Sequence, residues 1–337
     1  MLELQNAWRW REDRGILAKN EAVRVFHGPG EGQGDWQSIS IDRFAEHYWV
    51  TEWESSSSST QSQLKDFLLS KGARSAVLLA RPERGIASES RILFGSPPGD
   101  RWSVRENKSQ FLIQLEKTRH PGLFLDHEPL RHWLENHMRG LRVLNTFAYT
   151  GSLSVAAVQG GAQAVTTLDL SKGSIEWAKA NFKLNAFDES PHRFIAGDVF
   201  EWLPRLKRRD EVFDCVILDP PSFSHGNKQK FSTAKDLVTL HRLAMGLLAE
   251  EGLLITSINS ANIPWRKFEE DVLTAGQAQN MKFKVLRQID LPETFPTRLE
   301  NPSSRYLKGW ILQRSKSSGR GSSNLKSSPE IGWKNSK

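Results

Sequence analysis

Apolar and polar positions alternate in blocks along this chain, and from residue 142 onward the blocks follow one another with regular spacing. Short apolar runs, of the length typical of buried strands, are separated by longer amphipathic segments. In Ala234–Leu248, for example, Leu237, Leu240 and Ala244 recur at the spacing of one helix face. Strands are predicted at 142–146, 164–168, 193–196, 214–218, 253–257, 282–289 and 306–313. The pattern predicts an α/β fold, with a Rossmann-like seven-stranded sheet and helices on both faces.

The first hundred residues have shorter elements and more polar connections. A polar linker or loop at Ser55–Thr60 precedes a short predicted helix with Leu64 and Phe67 on its apolar side. An apolar strand, Ala76–Leu79, follows. These elements predict a small α+β domain over residues 21–100, in front of a larger α/β domain.

The chain is divided on this basis into four parts. An N-terminal arm (1–20) and the small domain (21–100) precede the α/β domain (101–314) and a basic, Ser-rich tail (315–337) that we expect to be disordered. In the arm, Trp8–Arg14 interleaves aromatic and basic side chains, a composition able to stack on bases and neutralise phosphate. Docking of the tryptophans on the next domain is the favoured interpretation.

Small and acidic residues follow the predicted strands of the α/β domain. Gly151 lies in a turn after the first strand, and Asp169 ends the second strand, where a carboxylate can accept both hydroxyls of a ribose. Asp198 ends the third strand, where it or a neighbouring amide can meet the amino group of an adenine. Asp219 ends the fourth. Because ends of parallel strands converge on one crevice, the four positions predict a nucleoside site there, although each Asp taken alone is a common strand-end or helix-cap residue.

The segment Asp219-Pro220-Pro221-Ser222-Phe223 closes the fourth strand with a carboxylate, a rigid turn and an aromatic ring. Proline fixes its own φ and favours extended geometry in the residue before it, so Asp219 is held at the strand end. A planar base is able to stack on Phe223 while the carboxylate or a carbonyl of the turn receives its polar edge. A purely structural turn is an equal alternative for these residues alone.

The glycine pattern distinguishes two kinds of nucleotide site. A dinucleotide fingerprint needs three glycines around a pyrophosphate, whereas this turn has Gly151 followed by Ser152, Leu153 and Ser154. A nucleoside without phosphates, such as S-adenosyl-L-methionine, needs ribose and adenine contacts and one close glycine. The sequence therefore favours S-adenosyl-L-methionine as the cofactor.

With these residues in place, the chain resembles the class I S-adenosylmethionine-dependent methyltransferases, and among them the bacterial 23S ribosomal RNA methyltransferases. The resemblance implies an antiparallel last strand and an RNA partner, large-subunit ribosomal RNA. An additional RNA-binding domain of the PUA type is not expected here, so RNA recruitment would use other surfaces. The matching stretches are Ala22–Trp53, Gly122–His127 with Arg131, Asn145–Gly151, Leu168–Ser171, Gly197-Asp198, Asp219–Phe223 and Arg305–Gly309.

The motif positions and the resemblance together predict the site residues. The acceptor base is assigned to Asp219, Pro220, Phe223 and Asn259. The cofactor is assigned to Phe147, Tyr149, Gly151, Asp169, Asp198, Asp219 and Asp126. His127 and Asp126 are expected to border the methionine end of the cofactor, or else to cap the helix that starts near Pro129.

Cysteine usage bears on the chemistry. Members of the family that make 5-methylcytosine add a thiolate to the pyrimidine ring. The chain has one cysteine, Cys215, in the middle of a predicted buried strand, where it is expected to act as a small apolar residue. The position that resembles the nucleophile of those relatives is occupied by Asn259, as in the branch that makes 7-methylguanine. Asn259 is expected to hold a polar atom of the base or the turn, or equally to cap the following helix.

Charge and composition change this picture little. The net charge is +7 and the pI about 9.5, but the tail has five basic residues and one acidic residue, so +4 of the charge belongs to the tail. The remaining +3 is weak support for a nucleic-acid partner. One cysteine excludes an intramolecular disulfide, and no His/Cys spacing indicates a metal. With no long apolar run and no signal-peptide pattern, a cytoplasmic location without a membrane partner is expected.

Two other functions remain open at this point. One is a methyltransferase acting on carbon 5 of cytosine or on a substrate other than RNA. The other is a cofactor-binding RNA assembly factor without turnover. The sequence is compatible with a monomer and with a homodimer.

Overall fold

The computed structural model describes residues 1–81, 89–116, 118–225, 230–301 and 304–316. Two sheets dominate this part of the chain. Most of the predicted tail, from residue 317 onward, lies outside the described residues. None of the described helices is long and apolar enough to cross a membrane.

The N-terminal sheet has five strands in consecutive order, of which β3 and β4 run parallel and the other neighbours antiparallel. Its elements are α1 (Leu2–Asp13), α2 (Ile16–Lys19), β1 (Ala22–His27), α3 (Gly28–Glu31), a 3-10 turn (Gly34–Ser38), β2 (Ile39–Phe44), β3 (His47–Glu52), α4 (Ser58–Ser70), β4 (Ser75–Ala80) and β5 (Glu89–Gly95).

Helix α4 begins earlier than the sequence pattern predicted. The hydroxyl oxygen of Ser57 accepts a hydrogen bond from the amide of Thr60 at 3.2 Å, which makes Ser57 the N-cap. The prediction of a linker over Ser55–Thr60 is therefore wrong for its second half, because serine is as favourable at a helix start as in a loop.

Helix α1 packs on the N-terminal sheet. Trp8 is buried and meets the edge of Phe67 with ring centroids 5.8 Å apart. The buried guanidinium of Arg11 donates to Glu31 and, at 2.7 Å, to the carbonyl of Thr294. The arm is therefore a docked helix, as the favoured interpretation predicted for Trp8, and it contacts both the N-terminal sheet and the segment before β16.

A hairpin, β6 (Trp102–Glu106) and β7 (Ser109–Ile113), leads into the second sheet. The elements that follow are a 3-10 turn (Leu125–His127), α5 (Glu128–His137), β8 (Arg142–Thr146), α6 (Ser152–Gln159), β9 (Ala164–Asp169), α7 (Lys172–Leu184), β10 (Arg193–Ala196), α8 (Val199–Arg208), β11 (Phe213–Leu218), the short pair β12 (Phe223–His225) and β13 (Lys230–Ser232), α9 (Thr233–Met245), β14 (Leu248–Asn259), α10 (Trp265–Ala278), β15 (Phe283–Gln288) and β16 (Leu307–Arg314).

The second sheet has the order β10-β9-β8-β11-β14-β16-β15. Its first five strands are parallel, and β16 pairs antiparallel with both β14 and β15. This confirms the predicted seven-stranded sheet with an antiparallel last strand. The one sizeable difference is β14, which starts at Leu248 because it continues the chain directly after α9.

Helices cover both faces of this sheet, as predicted. On β11, Val216 and Leu218 pack against α8, α9 and α10, whereas Cys215 and Ile217 pack on the opposite side against α5 and α6. The alternation follows from the two-residue period of a strand. With both faces covered, the ligand-accessible part of the sheet is the edge formed by its strand ends.

The two sheets meet through the segment before β16. The carbonyl of Gly30 accepts a hydrogen bond from the guanidinium of Arg298 at 3.0 Å. A Cβ at Gly30 would lie 1.7 Å from the carbonyl oxygen of Pro296, so no larger residue fits at this contact.

A buried ion pair joins the hairpin to α5. Arg131 binds Glu106 through two bonds of 2.5 and 2.8 Å, and it also donates to the carbonyl of Phe124. Both charged side chains are 1% exposed. The pair fixes the loop before α5, which borders the cavity described below.

We expect Arg131→Ala to lower the free energy of unfolding by about 3–5 kcal/mol, because it leaves the Glu106 carboxylate buried without its partner. Urea denaturation measures the difference. Arg266→Ala is the matched control, since its ion pair with Glu270 is exposed and should contribute about 0–1 kcal/mol. Equal effects of the two substitutions would contradict the role given to Arg131.

Candidate cofactor and acceptor site

A cavity of about 790 Å³ lies at the carboxyl ends of the parallel strands of the second sheet. Open α/β sheets bind their ligands at this edge. Eight of the predicted site residues line it, namely Asp126, Phe147, Tyr149, Asp169, Asp198, Asp219, Pro220 and Asn259. His127 and Arg131, from the matching stretches, line it as well.

The turn after β8 forms one wall of the cavity and is conformationally unusual. Phe147 and Tyr149 have positive φ angles of 52° and 49°, which non-glycine residues rarely adopt. Gly151 has φ 75°, and a Cβ there would lie 2.8 Å from the Cβ of Ala178 on α7. The chain therefore needs glycine at this position, and it holds two strained residues at the cavity wall, as binding sites often do.

Asp169, the last residue of β9, is fixed by backbone amides. Its Oδ2 accepts from the amide of Tyr149 and its Oδ1 from the amide of Ser171, each at 2.8 Å. Burial raises the pKa of this carboxyl group, while the two amide bonds act in the opposite direction. Each oxygen retains a free lone pair, so the carboxylate is able to accept two hydroxyl groups from the cavity.

Asp198 lines the cavity and also has a structural role in helix α8. It is the N-cap of α8, and its Oδ1 accepts a hydrogen bond from the amide of Phe200 at 2.8 Å. Both residues line the cavity. The assignment of Asp198 or a neighbouring amide to an adenine stays a prediction.

A network of charged side chains forms the opposite end of the cavity. His127 is buried, with Nδ1 3.3 Å from Asp126 Oδ1 and Nε2 3.3 Å from Asp219 Oδ1. Burial alone would lower the pKa of His127, but the two carboxylates outweigh it and raise the pKa to about 10. The ring is therefore an imidazolium, and the three residues together carry one negative charge.

Neutral side chains complete this network. The hydroxyl of Ser257 donates to Asp219 Oδ1 at 2.7 Å. Tyr306 donates to Asp126 Oδ2 at 3.1 Å, and the amide group of Asn259 approaches the same oxygen at 3.4 Å. Within the described residues, Asp219 Oδ2 has no hydrogen-bond partner, so it remains available to a ligand in the cavity.

Two capping alternatives from the sequence are wrong. His127 occupies the N-cap position of α5, but neither it nor Asp126 makes a side-chain cap there, because both side chains turn into the charged network. Asn259 ends β14, and the N-cap of α10 is Pro264.

The remaining predicted positions differ in how far the structure describes them. Pro220 is buried at the cavity wall, and the hydroxyl of Ser222 donates to the carbonyl of Asn259 at 2.9 Å, which ties the turn to the end of β14. The side chain of Phe223 lies outside the described residues. Cys215 is buried in the middle of β11, where burial raises the pKa of its thiol, and it does not line the cavity.

Sequence reasoning missed His120, Ser257 and Tyr306. Ser257 lies in β14, two residues before Asn259, and Tyr306 directly precedes β16, where Leu307 pairs with Asn259. Adjacency in the sheet would therefore have pointed to both. His120 borders the cavity and packs on Phe124 with ring centroids 5.1 Å apart. Burial lowers the pKa of His120 to about 4, which keeps the ring neutral.

Comparison with known proteins gives the class of this protein. A model of the S-adenosylmethionine-dependent methyltransferase family matches residues 24–305, and the chain belongs to that family. It is 30% identical over 302 residues to the putative ribosomal RNA large subunit methyltransferase YwbD of Bacillus subtilis, covering 87% of this chain and 74% of that protein.

Two further relatives extend the comparison. Ribosomal RNA large subunit methyltransferase K/L of Cellvibrio japonicus is 38% identical over 206 residues, which cover 60% of this chain and 26% of that longer protein. The solved structure of SMU.776, a putative methyltransferase complexed with SAH, superposes with a TM-score of 0.80 at 28% identity, over 92% of this chain and 80% of that chain.

The cavity fits the cofactor of this family, S-adenosyl-L-methionine. Asp169 offers acceptors for two hydroxyls, and the turn lacks the three glycines of a pyrophosphate cradle. Gly151 does not itself line the cavity; it lets the turn pack closely against Ala178 of α7. The net negative charge of Asp126, His127 and Asp219 suits a cofactor that carries a positive sulfonium. The protein is therefore an S-adenosylmethionine-dependent methyltransferase.

We expect Asp169→Asn to weaken binding of S-adenosylmethionine about ten- to hundredfold, because hydrogen bonds to a charged group contribute about 1.5–3 kcal/mol. Isothermal titration calorimetry measures the dissociation constant. The control is Asp188→Asn, which removes an exposed carboxylate in the loop after α7 and should leave affinity unchanged. An unaltered dissociation constant for Asp169→Asn would exclude a ribose role.

We also expect His127 to remain doubly protonated at about pH 8. The folded-state pKa of about 10 lies above the ordinary 6.5. The stabilisation from the charged ring is thus complete below about pH 6.5 and is lost as the pH rises through about 10. Long-range ¹H–¹⁵N spectra report the ring state, with His241, whose pKa burial lowers to about 4, as the neutral reference. A neutral His127 ring would contradict the shared charge.

Proposed function

We propose that this enzyme transfers a methyl group from S-adenosylmethionine to a base of large-subunit ribosomal RNA, at a ring nitrogen of guanine. The names of the relatives, YwbD and K/L, support the RNA substrate. The choice of a ring nitrogen rests on the acceptor end of the cavity. There the carboxylate of Asp219 is available and no thiol is present.

The chemistry at a ring nitrogen needs no covalent intermediate. S-adenosylmethionine supplies an electrophilic methyl group on its sulfonium. A nitrogen such as N7 of guanine attacks it with its own lone pair, so the protein has to position the base and exclude water. After transfer the base itself carries a positive charge. In this proposal Asp219, held by Ser257 and His127, stabilises that charge or accepts a hydrogen bond from the base edge.

Methylation of carbon 5 of cytosine is disfavoured by the position of Cys215. Its thiol is fully buried in β11, with strands β8 and β14 paired on either side. Burial raises the pKa of the thiol, so little thiolate forms. Asn259, at the end of β14, occupies the position that resembles the nucleophile of those relatives, and an amide group cannot act as that nucleophile.

The remaining assignments are part of the same proposal. Pro220 and Phe223 would form the platform for the base, and Asn259 would hold the turn through its carbonyl bond to Ser222. Residues 21–100 and 101–314 would act as a small α+β domain and the methyltransferase domain. Because its proposed substrate is ribosomal RNA, we place the enzyme in the cytoplasm. The alternatives are methylation of another substrate and an assembly role without turnover. The next experiment separates both of them from the proposed function.

The test is methyl transfer from radiolabelled S-adenosylmethionine to total RNA from cells that lack this protein, followed by nucleoside analysis. We expect label in a methylguanosine, with 7-methylguanosine as the leading product. Label in 5-methylcytidine would overturn the choice of base. Absence of label, with cofactor binding confirmed by calorimetry, would favour the other two functions.

In the same assay, Cys215→Ala should retain the wild-type rate of methyl transfer, because the thiol lies inside the sheet and away from the cavity. Thermal unfolding of the variant separates loss of stability from loss of chemistry. A folded Cys215→Ala protein without activity would show that the thiol takes part in the reaction.

A further inference from the structure

A second groove, of about 690 Å³, runs between the N-terminal sheet and the methyltransferase part of the chain. It adjoins the cofactor cavity, since four residues border both: His120, Phe124, Asp126 and Asn259. The acceptor end described above therefore lies next to this groove. A substrate that places one group at Asp219 has room for its neighbouring part in this groove.

Arg81 directly follows β4 and borders the groove. The environment of its side chain is unusual. Its side chain is half-buried, and within the described residues it has no ion pair and no hydrogen-bonding partner. Burial lowers the pKa of its guanidinium, and the charge of Arg24 lowers it further, while no carboxylate of the described residues acts in the other direction. An arginine remains charged under these conditions, so among the described residues this cation has no counterion, and a ligand could supply one.

The carboxylates along the groove do not fill that role. Asp42 is bound by Arg24 at 2.5 Å, and Asp35 accepts from the amide of Ser57 at 2.8 Å. Asp126 belongs to the charged network around His127. Glu54 is exposed, where water screens its charge.

Two further side chains border the groove: Trp53, which has an exposed aromatic ring, and His27, which has a buried nitrogen without a hydrogen-bond partner in the described residues. Trp53 borders it with 39% of its surface exposed, among the largest exposed apolar side chains described. Nδ1 of buried His27 lies 2.8 Å from the guanidinium of Arg24, which only donates, so Nδ1 accepts and the proton sits on Nε2. Burial and two arginines lower the pKa of His27 to about 2, and its Nε2 has no partner in the described structure.

We propose that this groove binds the RNA nucleotides next to the methylated base, with Arg81 on a phosphate and Trp53 stacked on a flanking base. An unpaired arginine beside an exposed aromatic ring is the combination that binds single-stranded nucleic acid. This inference rests on the proposed RNA substrate and assigns the surface that holds it.

The test compares Arg81→Gln with Arg74→Gln in the full chain. Arg74 directly precedes β4, the strand that Arg81 follows, but it is exposed and paired with Glu46. Dissociation constants for a short substrate RNA are measured at several salt concentrations. We expect Arg81→Gln to reduce the slope of log K against log salt by about 0.7–0.9, the value for one phosphate contact. Arg81→Lys should keep the slope, and Arg74→Gln should not change it.

Trp53 supplies an independent measurement. Trp53→Ala should weaken RNA binding by roughly fivefold or more, as expected for the loss of one base stack. Trp53→Phe should restore most of the affinity. Affinity for S-adenosylmethionine, which binds in the neighbouring cavity, should be unchanged in every variant and reports that the proteins are folded.

The outcomes separate this inference from the proposed function. If the wild-type protein methylates RNA but Arg81→Gln keeps its salt slope and Trp53→Ala its affinity, the groove is not the RNA surface and the inference is wrong. If the wild-type protein binds S-adenosylmethionine but neither binds nor methylates RNA, both proposals fail together.

Discussion

Two carboxylates share one buried imidazolium at the centre of this enzyme, and the acceptor end of its cavity depends on that shared charge. Asp126 and Asp219 would repel each other in a poorly solvated site if His127 were neutral. With the ring charged, one negative charge remains at the end of the cavity that we propose as the acceptor end. The hydrogen bonds from Ser257 and Tyr306 satisfy further lone pairs of the two carboxylates, which makes burial of the network tolerable.

Sheet topology brings these residues together. Leu218 and Thr256 are partners in the parallel pair β11 and β14, so the residues that follow them, Asp219 and Ser257, emerge side by side. The loop before α5 adds Asp126 and His127 from the other side, held in place by the Arg131–Glu106 pair. On the cofactor side, the strained turn after β8 presents the amide that fixes Asp169. One edge of the sheet thus brings the residues proposed for the cofactor and those proposed for the acceptor base into a single cavity.

The sequence was sufficient for the sheet and for much of the cavity, because both depend on local patterns. Strand length, the two-residue period and acidic residues at strand ends are visible within short windows, and Asp169 and Asp219 do lie at one cavity. The pairing of His127 with Asp219 was not predictable in this way, since nothing local indicates a partner some ninety residues away. Instead, helix-cap preferences suggested local duties for His127 and Asn259 that the tertiary network overrides.

The same reasoning applies to the groove between the sheets. Basic composition indicated little, because most of the net charge belongs to the tail. Arg81 differs from the other arginine of this groove in having no counterion among the residues that the structure describes, which is a property of its surroundings in the folded chain. Arg11, read from the sequence as part of a possible nucleic-acid-binding arm, proved to be a buried contact to Thr294. The role of each of these two arginines therefore depends on tertiary contacts, which the sequence alone does not show.

The most direct test of the account is the single-turnover rate of methyl transfer to RNA by Asp219→Asn at saturating S-adenosylmethionine. Asp214→Asn, at the opposite end of the same strand and bonded to the amide of Arg142, is the matched control. We expect the rate of Asp219→Asn to fall about a hundredfold or more, the usual effect of removing a group that stabilises charge at the reacting centre. A rate equal to that of the control would contradict the central role of the shared charge.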